Sequence, residues 1–567
     1  MEQLRRQQQH FLVVTYPAQG HINPSQHLAR RLARSTGARV TFSTAVSAHR
    51  RMFPSLSSPD QEFSDGLLSY IPYSDGSDDG IKRSSSNNNK DAAADNPMLR
   101  LKQVGTRTLS AVLDRLSARD ERVTCVVYTI LLPWVADVAR AHGVPAVLCW
   151  IQPATVLAIY YHYFHGYDGV VAAAAAAHAS DPAHTVTLPG LAPLRIRDLP
   201  SFLATTSEDD PYAAVLDDFR ETFDAIERGD DGADAAGGKT TVLVNTFDAL
   251  EPNALKSVED LNLIAVGPVI PSLAALEGGA AESKDLFAPD EKHYMEWLDG
   301  KAEGSVVYVS FGSMSMVKKR QMEEMRKGLK ESGRPYLWVV RKDNKEAESI
   351  EPEEPDQKGM VVEWCSQVRV LNHAAVGCFV THCGWNSTVE SVAAGVPTVC
   401  VPQWTDQGTN AWLMAEEWGM GVRGEINGEG LLEGEELRRC LEVVMGEGER
   451  GAEIRRRAQM WKDKAREAIG DGGSSQRNLR AFVNQIANRN YVTANVTNVS
   501  LGPLLQTNKA TPPHPDSPDA ADSPSPPPSG RKGKKKEEER ERERGREREK
   551  SPFSPLTSPF PSSPAVD

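Results

Sequence analysis

The chain has 567 residues, a net charge of −13 and an isoelectric point near 5.6. That length suits two α/β domains with extras, and the acidic balance speaks against a nucleic-acid binder, whose footprint is basic. Seven cysteines, an odd number without a CxxC pair, make no disulfide framework; Cys365, Cys378, Cys383 and Cys400, within or beside strands, read as core residues of a reduced, cytosolic protein, and no apolar run is long enough to span a bilayer.

The amino-terminal FLVV is too short for a signal-peptide core and lacks a cleavage site, so His10 to Tyr16 reads as a first strand. PAQGHINP follows as a loop, then a helix from about Asn23 to Ser35 and a strand from Ala38 to Thr44, a βαβ opening. His21 thereby falls at the carboxyl end of the first strand, where open α/β sheets do their chemistry. Residues 73–95 are polar and of low complexity, a surface loop. Val123 to Ile130, LPWVADVARAHG and VPAVLCW continue as strand, helix and strand. Ile151 to Tyr167 reads as a helix rich in Tyr, His and Phe, a pattern that suits a core or a wall for a flat hydrophobic acceptor. The alanine run Ala172 to Ala177 and the stretch near Asp230 read as loop insertions. Thr241 to Pro252 is a strand and loop, LNLIAVGPVIP ends the first half, and Pro271 to Pro289 has the composition of a linker.

A second series opens at GSVVYVSFGSMS, whose Phe311-Gly312-Ser313 loop can set a hydroxyl and N–H groups beside a phosphate. A helix from Val317 to Ser332 and the strand YLWVV lead to the densest stretch, Trp364 to Gln407. Within it Val376 to Gly384 is a buried-strand run, and His382, Gly384, Trp385, Asn386 and Ser387 crowd its carboxyl end. Asn386 or Ser387 is a fitting N-cap for a helix from about Thr388 to Ala394, which Gly395 stops. A strand, a glycine loop and a helix make an anion site, and a His with hydroxyl and amide donors suits a diphosphate. Trp364 offers a flat face to a base, Gln367 lies a turn further on, and Glu390 brings a carboxylate that accepts from ribose hydroxyls. Asp406 and Gln407 form a carboxylate–amide pair suited to sugar hydroxyls. His382 and Cys383 have no second pair at ligand spacing, so no metal site is expected. Helices over Asp406 to Trp418, Glu433 to Met445 and Glu453 to Ile469, and one from Ser474, close the folded part. From Tyr491 onward the chain is Pro/Ser-rich and mixed in charge, the composition of a disordered, self-neutralising tail.

The stretch from Trp364 to Gln407 resembles, without a gap, the signature box of the plant family 1 UDP-dependent glycosyltransferases. QGHINP, SDGSDDG, Pro189 to Leu203, VLVNTFDALEP, FGS and the GGSS-NL-FV pattern extend the likeness from about Phe11 to Asn488. The details are closest to anthocyanin 5-O-glucosyltransferases and to ester-forming hormone and crocetin glucosyltransferases. The resemblance implies an α/β protein of the GT-B fold, two Rossmann-like domains facing a cleft, plus the disordered C-terminal tail, 491–567. Residues 1–255 would bind the acceptor, with a helix over 474–490 crossing back, and 256–473 would bind the UDP-sugar. It also implies inverting transfer of glucose from UDP-glucose to a hydroxyl or carboxyl of a small hydrophobic plant metabolite, such as a flavonoid, a phenolic or a hormone acid. The expected protein is a cytoplasmic monomer that needs no cofactor or metal and has no nucleic-acid partner.

By position, the resemblance assigns Trp364 to uracil, with Cys365 beside it, and Gln367 and Glu390 to ribose. Ser313, His382, Gly384, Asn386 and Ser387 go to the diphosphate region, and Trp385, Asp406 and Gln407 to the sugar, the closing Gln pointing to glucose. His21 matches the general base. Thr129 departs from the family, which usually has an Asp there to orient that base, and Ile151 stands where many members have Thr. Thr129 keeps an alternative open, a catalytically weak nucleotide-sugar binding protein, unless it or another acid serves as the relay. A His without a carboxylate behind it loses least on acceptors that are already acidic, carboxylic acids and acidic phenols. A nicotinamide oxidoreductase would share the domains, but no GxGxxG follows the first strand.

Overall fold

The computed structural model describes residues 9–79, 97–178, 181–203, 213–228, 238–271, 286, 293–342, 344 and 358–500. Two parallel sheets carry the architecture. The first runs Leu261–Ala265, Thr240–Val244, Ala146–Trp150, Cys125–Thr129, His10–Val14, Arg39–Ser43, Ser69–Tyr70 and Phe63–Ser64, antiparallel only at the last pair. The second runs Gly359–Val362, Tyr336–Val339, Val306–Ser310, Val376–Thr381, Thr398–Cys400 and Gly421–Arg423, all parallel. Counted within its own half, the second sheet is ordered third, second, first, fourth, fifth, sixth, the doubly wound arrangement. In each sheet the order reverses beside the first strand. Val306–Ser310 meets Val376–Thr381 there, and His10–Val14 meets Cys125–Thr129. These central strands are buried along their whole length or nearly so, which explains their unbroken apolar runs.

The structure corrects several boundaries. The first helix spans Gln19–Thr36, so His21 sits in its first turn and not in a preceding loop. The alanine run expected as a loop lies in the helix Asp168–His178, in keeping with alanine's helix propensity. The aromatic helix ends at His162 and passes through a π-turn, Tyr163–Tyr167, before it. Strand Leu261–Ala265 pairs in the first sheet, so that sheet extends past residue 255. The closing helix, Ser474–Ser500, continues through the position where the tail was expected to begin, while residues 501–567, the bulk of the surface loop at 73–95, the stretch near Asp230 and nearly all of the linker lie outside the described residues.

That last helix belongs to the first sheet's core: Leu479, Phe482, Val483 and Ile486 are buried there, with Phe482 packed 6.0 Å from Phe11. A separate apolar cluster joins the halves. It sets Phe247, Leu250 and Ile270 from the first against Trp385, Met414 and Trp418 of the second.

Candidate functional site

The carboxyl ends of both sheets open on one cavity of about 530 Å³. His21, Ser313, Trp364, Cys365, Gln367, His382, Gly384, Trp385, Asn386, Ser387, Glu390, Asp406 and Gln407 all line it. Thr129 does not.

The helix Trp385–Ala394 follows strand Val376–Thr381 through a tight turn in which Cys383 takes φ 67°, a left-handed conformation rare for a residue with a Cβ. Its N-cap is Gly384, not Asn386 or Ser387, and Gly395 ends it in the left-handed region. Glycine at 384 leaves room for a neighbour: a Cβ there would stand 2.5 Å from His382 Nε2, and one at Gly312 2.6 Å. Two loops thus pack around one imidazole. Burial lowers the His382 pKa to about 4, the Ser310 backbone opposing the shift and Arg341 adding to it. A neutral ring follows, and the free N–H groups of the helix face the same space.

Gln367 organises the next segment. Its amide nitrogen donates to Ser387 Oγ at 2.8 Å and Glu390 Oε2 at 2.7 Å, while the Tyr308 hydroxyl donates to its oxygen at 3.2 Å. Ser387 is therefore tied to the Gln367–Glu390 pair. Trp364 is half-buried beside it, packed on the core that holds Cys365. At the far end Gln407 Oε1 accepts from the N–H groups of Gln403 and Trp404 at 2.8 and 3.2 Å. Asp406 accepts from Thr405 Oγ1 and Asn410 Nδ2, both at 2.7 Å.

Two residues assigned to the donor also hold the halves together. The Trp385 indole donates to the Asn245 carbonyl at 2.8 Å, so its nitrogen is not available to a sugar. Asn386 Nδ2 donates to the Gly20 carbonyl at 2.9 Å. That carbonyl is free for a reason written in the sequence: Pro24, four residues on inside the same helix, has no N–H to give it. The proline thus supplies the acceptor that draws the phosphate helix against the turn carrying His21.

His21 is half-buried, its ring 5.2 Å from that of Tyr16. Burial alone lowers its pKa, to about 4, and its Nδ1 has no hydrogen-bond partner among the described residues. Thr129 is buried at the end of its strand, near Thr15 Oγ1 and the Tyr16 N–H, both at 3.4 Å. Ser25 completes the link, donating to the His21 carbonyl at 2.7 Å. Thr129 therefore braces the strand ends, and no described carboxylate acts on the base.

The remaining wall comes from the first half: Ile130, Leu131, Ile151, Phe202, Val215 and Phe219. Asp218, in the helix Ala213–Glu227, breaks this apolar surface. Its pKa is raised to about 6, first by burial and then by Glu221 and Asp217. Sequence reading missed Asp218, Tyr308 and the Asn245 carbonyl, since nothing local marks which side of an element meets the cleft. Pro24 could have been read: a proline inside a helix orphans a carbonyl.

Comparison with known proteins gives this geometry a lineage. Residues 266–469 match the family model for UDP-glucoronosyl and UDP-glucosyl transferases. Phloretin 4'-O-glucosyltransferase of Malus domestica is 47% identical over 498 residues, which span 84% of this chain and 98% of that protein. Crocetin glucosyltransferase, chloroplastic, of Gardenia jasminoides is 46% identical, and anthocyanidin 3-O-glucoside 5-O-glucosyltransferase 1 of Perilla frutescens 45%, each covering 84% of this chain and 97% and 98% of its own length respectively. The crystal structure of Os79 from O. sativa in complex with UDP superposes with a TM-score of 0.70 at 32% identity, covering 84% of this chain and all of that one. No helix among the described residues is long and apolar enough to cross a membrane. With two doubly wound halves meeting at this cavity, the chain has the GT-B fold, belongs to the UDP-glucoronosyl and UDP-glucosyl transferase family, and is a UDP-glycosyltransferase.

Proposed function

We propose that the enzyme transfers glucose from UDP-glucose, with inversion, to a phenolic hydroxyl of a flat, hydrophobic, uncharged acceptor. The observation that carries this reading is the single cavity that gathers His21, the diphosphate loop around His382 and the Asp406–Gln407 pair. His21 takes the acceptor proton as the oxygen attacks the anomeric carbon from the face opposite UDP. The bond from that carbon to the β-phosphate oxygen breaks, and the departing charge falls on the N-terminus of helix Trp385–Ala394 and the neighbouring donors Ser313 and His382. Trp364 stacks on uracil, the Gln367–Glu390 pair accepts ribose, and Asp406 and Gln407 hold glucose. No metal has a part in these steps.

Asp218 shapes the acceptor. A carboxylate in an apolar wall repels an anionic partner, which favours a neutral phenol over the carboxylic acids that the bare His21 would suit. A binding protein without activity is not favoured, because the site keeps both a neutral base and a donor box. The proposed setting is a cytoplasmic monomer, in line with cysteines that are free and buried.

The test is the full chain with UDP-glucose and a panel of phenols, flavonoids and carboxylic acids, with products read by mass spectrometry. His21→Ala should lose transfer to phenols by about a hundredfold or more, as expected for a removed general base, while UDP binding stays intact. Equal activity of the variant, or no glucoside from any acceptor, would overturn the proposal.

A further inference from the structure

The segment that reads the sugar is held by the opposite half of the molecule. Ser201, in the short 3-10 turn Ser201–Leu203 of the first half, makes a reciprocal pair with Thr405. Its N–H donates to the Thr405 carbonyl at 2.8 Å, and its Oγ accepts the Thr405 N–H at 2.8 Å. Thr405 has φ 59°, a left-handed conformation that a β-branched residue adopts only when its surroundings enforce it. Both backbone polar groups of Thr405, the N–H of one peptide and the carbonyl of the next, are committed to Ser201. Thr405 then passes the constraint on, its Oγ1 donating to Asp406 Oδ1 at 2.7 Å, while Asn410 donates to the other carboxylate oxygen at 2.7 Å. The surroundings reinforce the pair. Phe202 meets Trp404 edge to face at 6.2 Å, and the Asp198 carbonyl accepts from Thr409 Oγ1 at 2.7 Å. Arg423 closes the group with an ion pair to the Asp198 carboxylate at 2.6 Å.

We propose that Ser201 is a positioning residue for the donor sugar. By holding Thr405 in its left-handed conformation it aims the Asp406 carboxylate, so a side chain of the acceptor half sets how well the enzyme tells one UDP-hexose from another. The inference rests on the reading that Asp406 and Gln407 hold the sugar. Without the Ser201 hydroxyl, the Thr405 N–H loses its acceptor. The peptide relaxes toward the ordinary region, and Asp406 turns with it. Uracil, ribose and diphosphate are held elsewhere, so UDP itself should not notice.

Binding measurements on the full chain avoid any choice of acceptor. Dissociation constants for UDP, UDP-glucose and UDP-galactose are taken by calorimetry for the wild type, Ser201→Ala, Ser201→Thr and Gln407→His. Ser201→Ala should weaken UDP-glucose about fivefold, the factor of one lost neutral hydrogen bond, narrow the glucose-to-galactose ratio, and leave UDP unchanged. Ser201→Thr keeps the hydroxyl and should restore both values. A loss of UDP affinity parallel to that of UDP-glucose would mark a merely structural role and overturn the proposal, as would no change in either. Gln407→His separates the two layers. A sugar ratio moved by Gln407→His but not by Ser201→Ala overturns the positioning role alone, and a ratio moved by neither overturns the reading of the sugar site with it.

Discussion

A histidine whose pKa lies near 4 is neutral throughout the physiological range, so protonation of His21 limits catalysis only in acid. For a neutral phenol, kcat/KM should stay flat from about pH 8 down to about pH 5 and fall below that, because the limb follows the depressed pKa and not the ordinary 6.5. An acid limb centred near 6.5 would show that another group acts on the ring. Asp218 runs the other way. Its folded pKa of about 6 lies above the ordinary 3.8, so the folded protein holds a proton between these values that the unfolded chain has released. The charged form costs stability above about pH 6, and that cost fades as the pH falls toward 3.8. Asp218→Asn should therefore raise the melting temperature at pH 7.5 and lose the gain by about pH 4, and it should improve carboxylate acceptors relative to phenols by about tenfold, a factor within the range of one partly screened charge pair. Thr129→Asp is the complementary change. It puts a carboxylate at the end of the strand beside the one that leads to His21, among buried neighbours.

Two helices of the first half carry their function at their first turns. The helix Ala154–His162 is capped by Glu251, whose buried carboxylate accepts from the Ala154 and Thr155 N–H groups at 3.1 and 2.9 Å and from Thr155 Oγ1 at 2.7 Å. This explains Glu251, the second acid in VLVNTFDALEP, as a cap laid across from a distant strand end. Glu251→Ala strands those buried donors and should cost about 2–3 kcal/mol by chemical denaturation, with Glu251→Gln milder because its amide oxygen still accepts. The helix Gln19–Thr36 instead leaves a group open, the Gly20 carbonyl beneath Pro24. Pro24→Ala supplies the missing N–H and removes the proline penalty, so the melting temperature should not fall, but the carbonyl is then shared and Asn386 loses its hold. Catalysis should drop about fivefold, a hydrogen bond's worth, with stability intact. Unchanged kinetics would show that the Asn386–Gly20 contact does not position the cleft.

At the scale of the whole molecule, the closing helix decides where the chain stops mattering. Phe482 and Ile486 are buried in the first core, and Asn490 still donates to Gln9 Oε1 at 2.9 Å, whereas Tyr491 is 51% exposed. Truncation after Ser500 should leave activity and melting temperature unchanged within error, because residues 501–567 lack the apolar composition to bury a core. Phe482→Ala should cost about 3–5 kcal/mol and loosen the first sheet. A clear loss on truncation would show that the tail packs on the folded part.

Much was determined by sequence alone, because the relevant forces are local. Apolar runs marked the central strands, Gly395 the end of its helix, and the ordered spacing from Trp364 to Gln407 the donor box. The box runs through two strands, two helices and the start of a third in unbroken succession, so neighbours in sequence are neighbours in space, and the structure gathers every one of its candidate residues into one cavity. The structure alone decided what joins distant segments. Asn386 reaches Gly20, Trp385 reaches Asn245 and Thr405 meets Ser201, contacts between residues more than a hundred positions apart that follow from how the two halves pack. Thr129 shows the limit from the other side. Its identity was plain, but only the fold showed that it faces Thr15 and the Tyr16 N–H and lies off the cavity, since which group meets a buried side chain is set by the packing of strands and not by their order in the chain.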